Sequence, residues 1–151
     1  MKKKVDIKPP KTEVDEKVIV LNNLVDLKMQ VNNIKRTNED FPFYFLINLD
    51  KIDSSLQVYA KNYDETVKKL QQKHEIFNAE GMLKRDVITE DEALKQENAK
   101  KFNEYEQEVH ALLQTVIKDY KFPFKKMEDI NFPPQFKIKP YLFDLLKFLC
   151  G

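Results

Sequence analysis

The sequence predicts a mainly α protein: a long antiparallel helical hairpin, with an N-terminal helix and a small aromatic-rich α+β C-terminal cap. Three observations predict it. Leu49, Leu56, Tyr63, Leu70 and Phe77 recur every seven residues, in a stretch with no Gly and, after Pro42, no Pro. A heptad of large side chains sustained over that length makes one helix with an apolar seam. A second seam follows, since Phe102, Val109 and Val116 are seven apart, as are Asn98, Tyr105 and Leu112. Of the two glycines, Gly151 is the last residue and Gly81 falls between the seams, where a turn is needed. The expected hairpin seam is Leu49, Leu56, Tyr63, Leu70 and Phe77 against Phe102, Tyr105, Val109 and Leu112.

Along the chain, residues 1–12 read as an extended basic arm, with Lys2, Lys3, Lys4, Lys8 and Lys11 around Pro9-Pro10. Residues 13–151 read as a single helical-hairpin domain. Thr12 is placed to cap a first helix, whose stripe is Val14, Val18, Leu21, Leu24, Val25 and Lys28, running to about Gln30. The run Val18-Ile19-Val20-Leu21 also suits a strand, because three β-branched residues adjoin. Asn32-Asn33 and Thr37–Asp40 read as loop. Asp40 and Pro42 suit the start of the long second helix, which the seam carries to Asn78. About 37 helical residues make a rod of roughly 55 Å, which needs a partner along its length.

Thr89-Glu90-Asp91-Glu92 is a capping box with acids in the first turn, and it opens a third helix over about residues 90–113. Thr115–Phe122 alternates loosely, as a strand would. Pro123, Pro133, Pro134 and Pro140 divide the remainder. Within it, Met127–Ile130 suits a helical turn and Phe136–Lys139 a short strand. Pro140 opens a last helix with Tyr141, Leu142, Leu145, Leu146 and Leu149 on one face. Six phenylalanines from Phe122 to Phe148 suit a packed cap on the hairpin, or an aromatic patch for a partner.

Composition narrows the function. Charged residues are 34% and apolar residues 42%, which fits half-exposed elements. Lys and Arg number 26 against 25 Asp and Glu, so the basic excess of a generic nucleic-acid binder is missing. No apolar run approaches the ~20 residues of a membrane span. Val5–Pro10 is no signal-peptide core. The one cysteine, Cys150, excludes an internal disulfide and suits a small buried side chain.

Chemistry-bearing patterns are sparse. With two glycines, no phosphate-cradling loop is available. His74 and His110, on a hairpin turning near Lys84, would lie roughly 24 Å apart along the rod, so a shared metal is not expected. Asp50 with Asp53, and Glu90-Asp91-Glu92, are carboxylate groups on helix faces or starts, where solvation keeps them from acid–base work. Asp64 with Lys68 and Glu65 with Lys69 are i,i+4 pairs that support an exposed face. Asn98 on the second seam can fix register. No catalytic residue, metal or cofactor is expected, and no small-molecule substrate.

The order of parts resembles the domain-of-unknown-function 1617 family of small tailed-phage proteins. The long helix carries Leu56-Gln57-Val58-Tyr59 to His74-Glu75, followed by a polar loop with Gly81. Then come Phe102-Asn103-Glu104-Tyr105-Glu106, Leu112-Leu113-Gln114-Thr115-Val116, Phe124–Ile130 and Leu145-Leu146-Lys147-Phe148-Leu149. The resemblance spans about residues 18–150 and rests on hydrophobic spacing; the four prolines of the C-terminal part and the basic arm depart from it. It implies a phage-encoded accessory or virion-associated protein and supplies no catalytic residues. The expectation is a non-catalytic structural or accessory protein working through protein–protein contacts or self-association, in a virion or the host cytoplasm. Two alternatives stay open: a small inhibitor docking on a host or defence enzyme, and a weak nucleic-acid binder using the arm.

Overall fold

The computed structural model describes residues 18–37, 40–86 and 90–150. The basic arm, the Thr12 cap and Thr89 of the capping box lie outside them. Among the described residues the protein is mainly helical, with α1 (Leu21–Arg36), α2 (Phe43–Lys73), α3 (Glu92–Leu113) and α4 (Pro140–Leu149). Short 3-10 turns occupy Lys84–Asp86 and Met127–Ile130.

The first helix begins later and ends later than the sequence suggests. Val18 and Ile19 are not helical, and Val20 forms an isolated antiparallel bridge with Val116. Leu21 N donates to Thr115 O at 2.8 Å, and Ile117 N donates to Ile19 O at 2.8 Å. The β-branched run therefore ties the entry of α1 to the exit of α3. Asn23 Oδ1 accepts from Val20 N at 2.8 Å and closes the helix start. Asn32-Asn33, read as loop, is helical. Val31 and Ile34 on either side of it are buried, and their burial outweighs the weak helix propensity of Asn.

The long helix expected to reach Asn78 ends at Lys73. Glu75 takes a left-handed conformation (φ 51°), which stops the helix, and Ile76 then turns inward to 2% exposure. Phe77 bridges Leu83, and Lys84 N donates to Ile76 O at 2.7 Å. Asn78 Oδ1 accepts from Glu80 N and Met82 N, and Gly81 (φ +82°) closes the turn. Gly81 thus serves the turn after the helix, and Phe77 lies beyond the helical seam. α3 starts at Glu92, with the Asp91 side chain accepting from Leu94 N at 3.2 Å.

The core sits at the start of α2. Phe45, Leu49, Ile52 and Leu56 are buried there against Leu24, Leu27, Val31 and Ile34 of α1. Leu142, Leu145, Leu146 and Leu149 of α4 complete it with Ile130. Phe45 is fully buried among Phe41, Phe132 and Phe136, whose ring centroids lie 5.2, 5.3 and 5.7 Å away. Phe122, Phe124, Phe132, Phe136 and Phe148 belong to this core, whereas Phe143 is 41% exposed. The expected strands at Thr115–Phe122 and Phe136–Lys139 do not form: among the described residues no strand is present. Val116 makes only an isolated bridge, with Val20, and Tyr120, Phe122, Phe136 and Ile138 pack against the helical core instead. Pro133 is among the fully buried side chains.

Two devices fix the layers. Lys28 pairs with Asp53 at 2.6 Å, while Lys35 reaches Asp50 at 2.7 Å and Asp53 at 3.2 Å, clamping α1 to α2. Asn48, 8% exposed, donates from Nδ2 to Ile130 O at 2.9 Å and so anchors the C-terminal segment to α2.

Candidate interaction surface

The start of α2 carries more apolar surface than the core can cover. Phe45, Asn48, Leu49 and Ile52 take the inner face. Phe43 (77% exposed), Tyr44, Leu46 and Ile47 are left outward, with Val58 also exposed farther along. On a helix, Phe43 neighbours Leu46 and Ile47, and Tyr44 neighbours Ile47, so the four form one patch. Sequence reasoning along the heptad missed it, because a seam search scores only one face. The signal was present: Phe41-Pro42-Phe43-Tyr44-Phe45-Leu46-Ile47 is apolar all round, which exceeds one buried stripe.

The predicted seam residues divide into three groups. Leu49 and Leu56 are buried, but against α1 and the C-terminal segment. Tyr63, Leu70, Phe102, Tyr105, Val109 and Leu112 are half-buried. Phe77 is 41% exposed. No α3 residue belongs to the main hydrophobic core, and Asn98 is the buried residue of that helix.

Polar contacts join the second half of α2 to α3 beside these half-buried side chains. Glu75 meets Lys101 at 3.1 Å, Lys73 meets Glu108 at 2.7 Å, and Gln71 Nε2 donates to Tyr105 at 3.2 Å. Farther along, Tyr59 and Ser55 meet Asp119 and Tyr120. Partner numbers rise from Lys101 to Tyr120 as the α2 side falls from Glu75 to Ser55. Arg85 stacks over the Phe102 ring with 4.2 Å to the centroid.

This register corrects the histidine geometry. His74 contacts Glu108, two residues from His110, so the 24 Å separation inferred from a turn at Lys84 does not hold. The pairs Glu75–Lys101 and Gln71–Tyr105 centre the register four residues later in the chain than Lys84. His74 is enclosed beside Glu104 and Glu108, whereas His110 is exposed. Hydrogen bonds with His74 and then Lys73 hold the Glu108 carboxyl below its usual range. Among the described residues, no group of three or more His, Cys, Asp or Glu is placed to hold a metal. None of their helices is long and apolar enough to cross a membrane.

The paired carboxylates of the sequence are structural in this geometry. Asp50 and Asp53 face Lys35, and Asp53 also faces Lys28. Burial pushes the Asp53 carboxyl up, but the hydrogen bonds and charges of Lys28 and Lys35 outweigh it and leave the pKa lowered. Asp91 caps α3. The arm lysines Lys2, Lys3, Lys4, Lys8 and Lys11 lie outside the described residues. Comparison with protein-family models, curated proteins and solved structures finds no match in any of the three.

Proposed function

We propose that the chain is a non-catalytic phage structural or accessory protein, acting through protein–protein contacts in a virion or its assembly. The observation that carries this reading is the exposed patch of Phe43, Tyr44, Leu46 and Ile47 on a helix whose opposite face is fully packed. A contiguous apolar patch on a rigid element is what a partner surface requires. In this reading α2 and α3 form a helical hairpin that presents the patch at one end. The chain resides in the particle or the host cytoplasm, needs no cofactor, and its phage origin rests on the resemblance to the 1617 family.

The test is sedimentation of lysates from cells that produce the chain, comparing the wild type with Phe43→Asp/Ile47→Asp. The wild type is expected to migrate with particles or assembly intermediates at fixed stoichiometry, and the variant to remain at the top of the gradient. A wild-type chain that stays there as an 18.0 kDa species contradicts it. Co-migration with one host enzyme alone overturns it in favour of an inhibitor.

A further inference from the structure

Two adjoining clefts lie between the Met127–Ile130 turn and α4. Met127, Glu128 and Phe143 line both, so the clefts run together into one trough with halves of about 890 and 350 Å³. The larger half adds Lys125, Lys126 and Lys147. The smaller half adds Phe132 and Ile138, with Asn131. The trough therefore has a cationic half and an apolar half, and the Glu128 carboxylate is common to the two.

Both walls are fixed by the core. Asn48 holds the Met127–Ile130 turn through the Ile130 carbonyl, and Ile130 is fully buried. Leu142, Leu145, Leu146 and Leu149 pack α4 on the same core, while Phe143 and Lys147 stay exposed. Lys125 and Lys126 are exposed as well, and none of the three lysines forms an ion pair among the described residues. Residues 114–150 carry seven lysines against four Asp and Glu, whereas the whole chain is balanced to +1. The positive charge is thus local to the segment that builds the trough, and it exceeds what Glu128 offsets.

Charge and shape together select the occupant. Carboxylates answer the three lysines, and large apolar side chains suit the half lined by Phe132, Ile138 and Phe143. A nucleic-acid strand fits less well, because it carries a phosphate at every nucleotide and would bring that charge against Glu128 and along the apolar half. A peptide can be acidic in one stretch and apolar in the next. We propose that the trough is a docking site for an acidic–apolar peptide segment of a partner protein, with its carboxylates on Lys125, Lys126 and Lys147 and its apolar side chains against Phe132, Ile138 and Phe143. Walls that are already packed keep the ordering cost of such binding low. The trough shares no lining residue with the Phe43 patch, so it is a second contact surface beyond the one proposed above.

The test is a nuclear magnetic resonance titration of the full chain, carbon-13 labelled at its methionine methyls. The probes are two synthetic octapeptides that join four glutamates, in either order, to four residues of Leu and Phe. Met127 lines both clefts, whereas Met29 and Met82 line neither and are exposed, so they serve as internal controls. At least one peptide should shift the Met127 methyl saturably and leave Met29 and Met82 in place, with affinity that falls as salt is added. Lys125→Glu/Lys126→Glu/Lys147→Glu should weaken binding at least about tenfold, and Phe143→Ser should weaken it by about tenfold. All four positions are exposed, and circular dichroism should show helix content unchanged. The wild-type titration does not depend on the variants. No Met127 shift with either peptide overturns the inference, as do equal shifts at all three methionines or binding indifferent to the lysine reversal. A larger Met127 shift from an octathymidylate overturns it in favour of nucleic acid. A Met127 shift on concentrating the chain alone, which neither peptide displaces, overturns it in favour of a second copy. The sedimentation result for the Phe43 patch is independent of all these outcomes.

Discussion

Phe43 and Phe45 are two residues apart, yet one is 77% exposed and the other fully buried. Phe45→Ala should cost about 3–5 kcal/mol through the cavity it leaves, whereas Phe43→Ala should change stability by about 0.5 kcal/mol at most; urea denaturation of both variants checks this. Asn48 is the buried polar residue whose loss strands another group. Asn48→Ala leaves the Ile130 carbonyl without its 2.9 Å donor, at a cost of about 1–3 kcal/mol in the same experiment. Asp53 gives a pH signature. Its folded-state pKa is lowered, so its pairing with Lys28 and Lys35 contributes stability above the unfolded value of about 3.9 and loses it as pH falls through the folded value. Lys35 responds in the opposite sense. Burial lowers its pKa, but Asp50 and Asp53 more than compensate and raise it, so its contribution persists until pH climbs through the raised value. Asp53→Asn should therefore destabilise by about 1–2 kcal/mol near neutral pH, and the variant and wild-type curves should converge in acid. None of this was readable from the sequence, which shows carboxylates and lysines without showing which of them face each other across two helices.

At the scale of elements, the sequence was most legible where local chemistry and burial agree. The Met127–Ile130 turn and the Pro140–Leu149 helix form where spacing and proline placed them. Pro at the first position and four leucines on one face leave α4 little alternative. Helix ends were less legible, because distant contacts fix them. Val20 is extended through its bridge to Val116, and α2 stops where Ile76 turns inward. The heptad ran on to Phe77 because spacing cannot record a left-handed residue at Glu75. The acids read as a capping box at the start of α3 include the actual cap, Asp91. Asp91→Ala should cost about 1 kcal/mol of helix stability, which exchange at Leu94 and Lys95 amides would register first.

For the whole molecule, the heptad located the long helix but assigned its main partner to the wrong neighbour. Leu49 and Leu56 bury against α1, α4 and the aromatic segment, while α3 rides on the second half of α2 through half-buried rings and ion pairs. Alternation between faces does not say which apolar stripe a distant segment covers, so the core's position at one end of α2 needed the structure. The division predicts unequal local stability: amides of α3 should exchange well before those of Phe45–Leu56 in native-state hydrogen exchange. It also separates a rigid packed end, where Phe43, Tyr44, Leu46 and Ile47 face outward, from a polar end available for further contacts. The proposed function requires that this outward patch seats a particle protein. A photo-cross-linking residue at position 43, compared with one at the exposed Val58, in cells producing the chain tests it most directly. One discrete adduct with a virion or assembly protein is expected from position 43 and none from position 58. The absence of an adduct from position 43, or the same diffuse labelling from both positions, would contradict it.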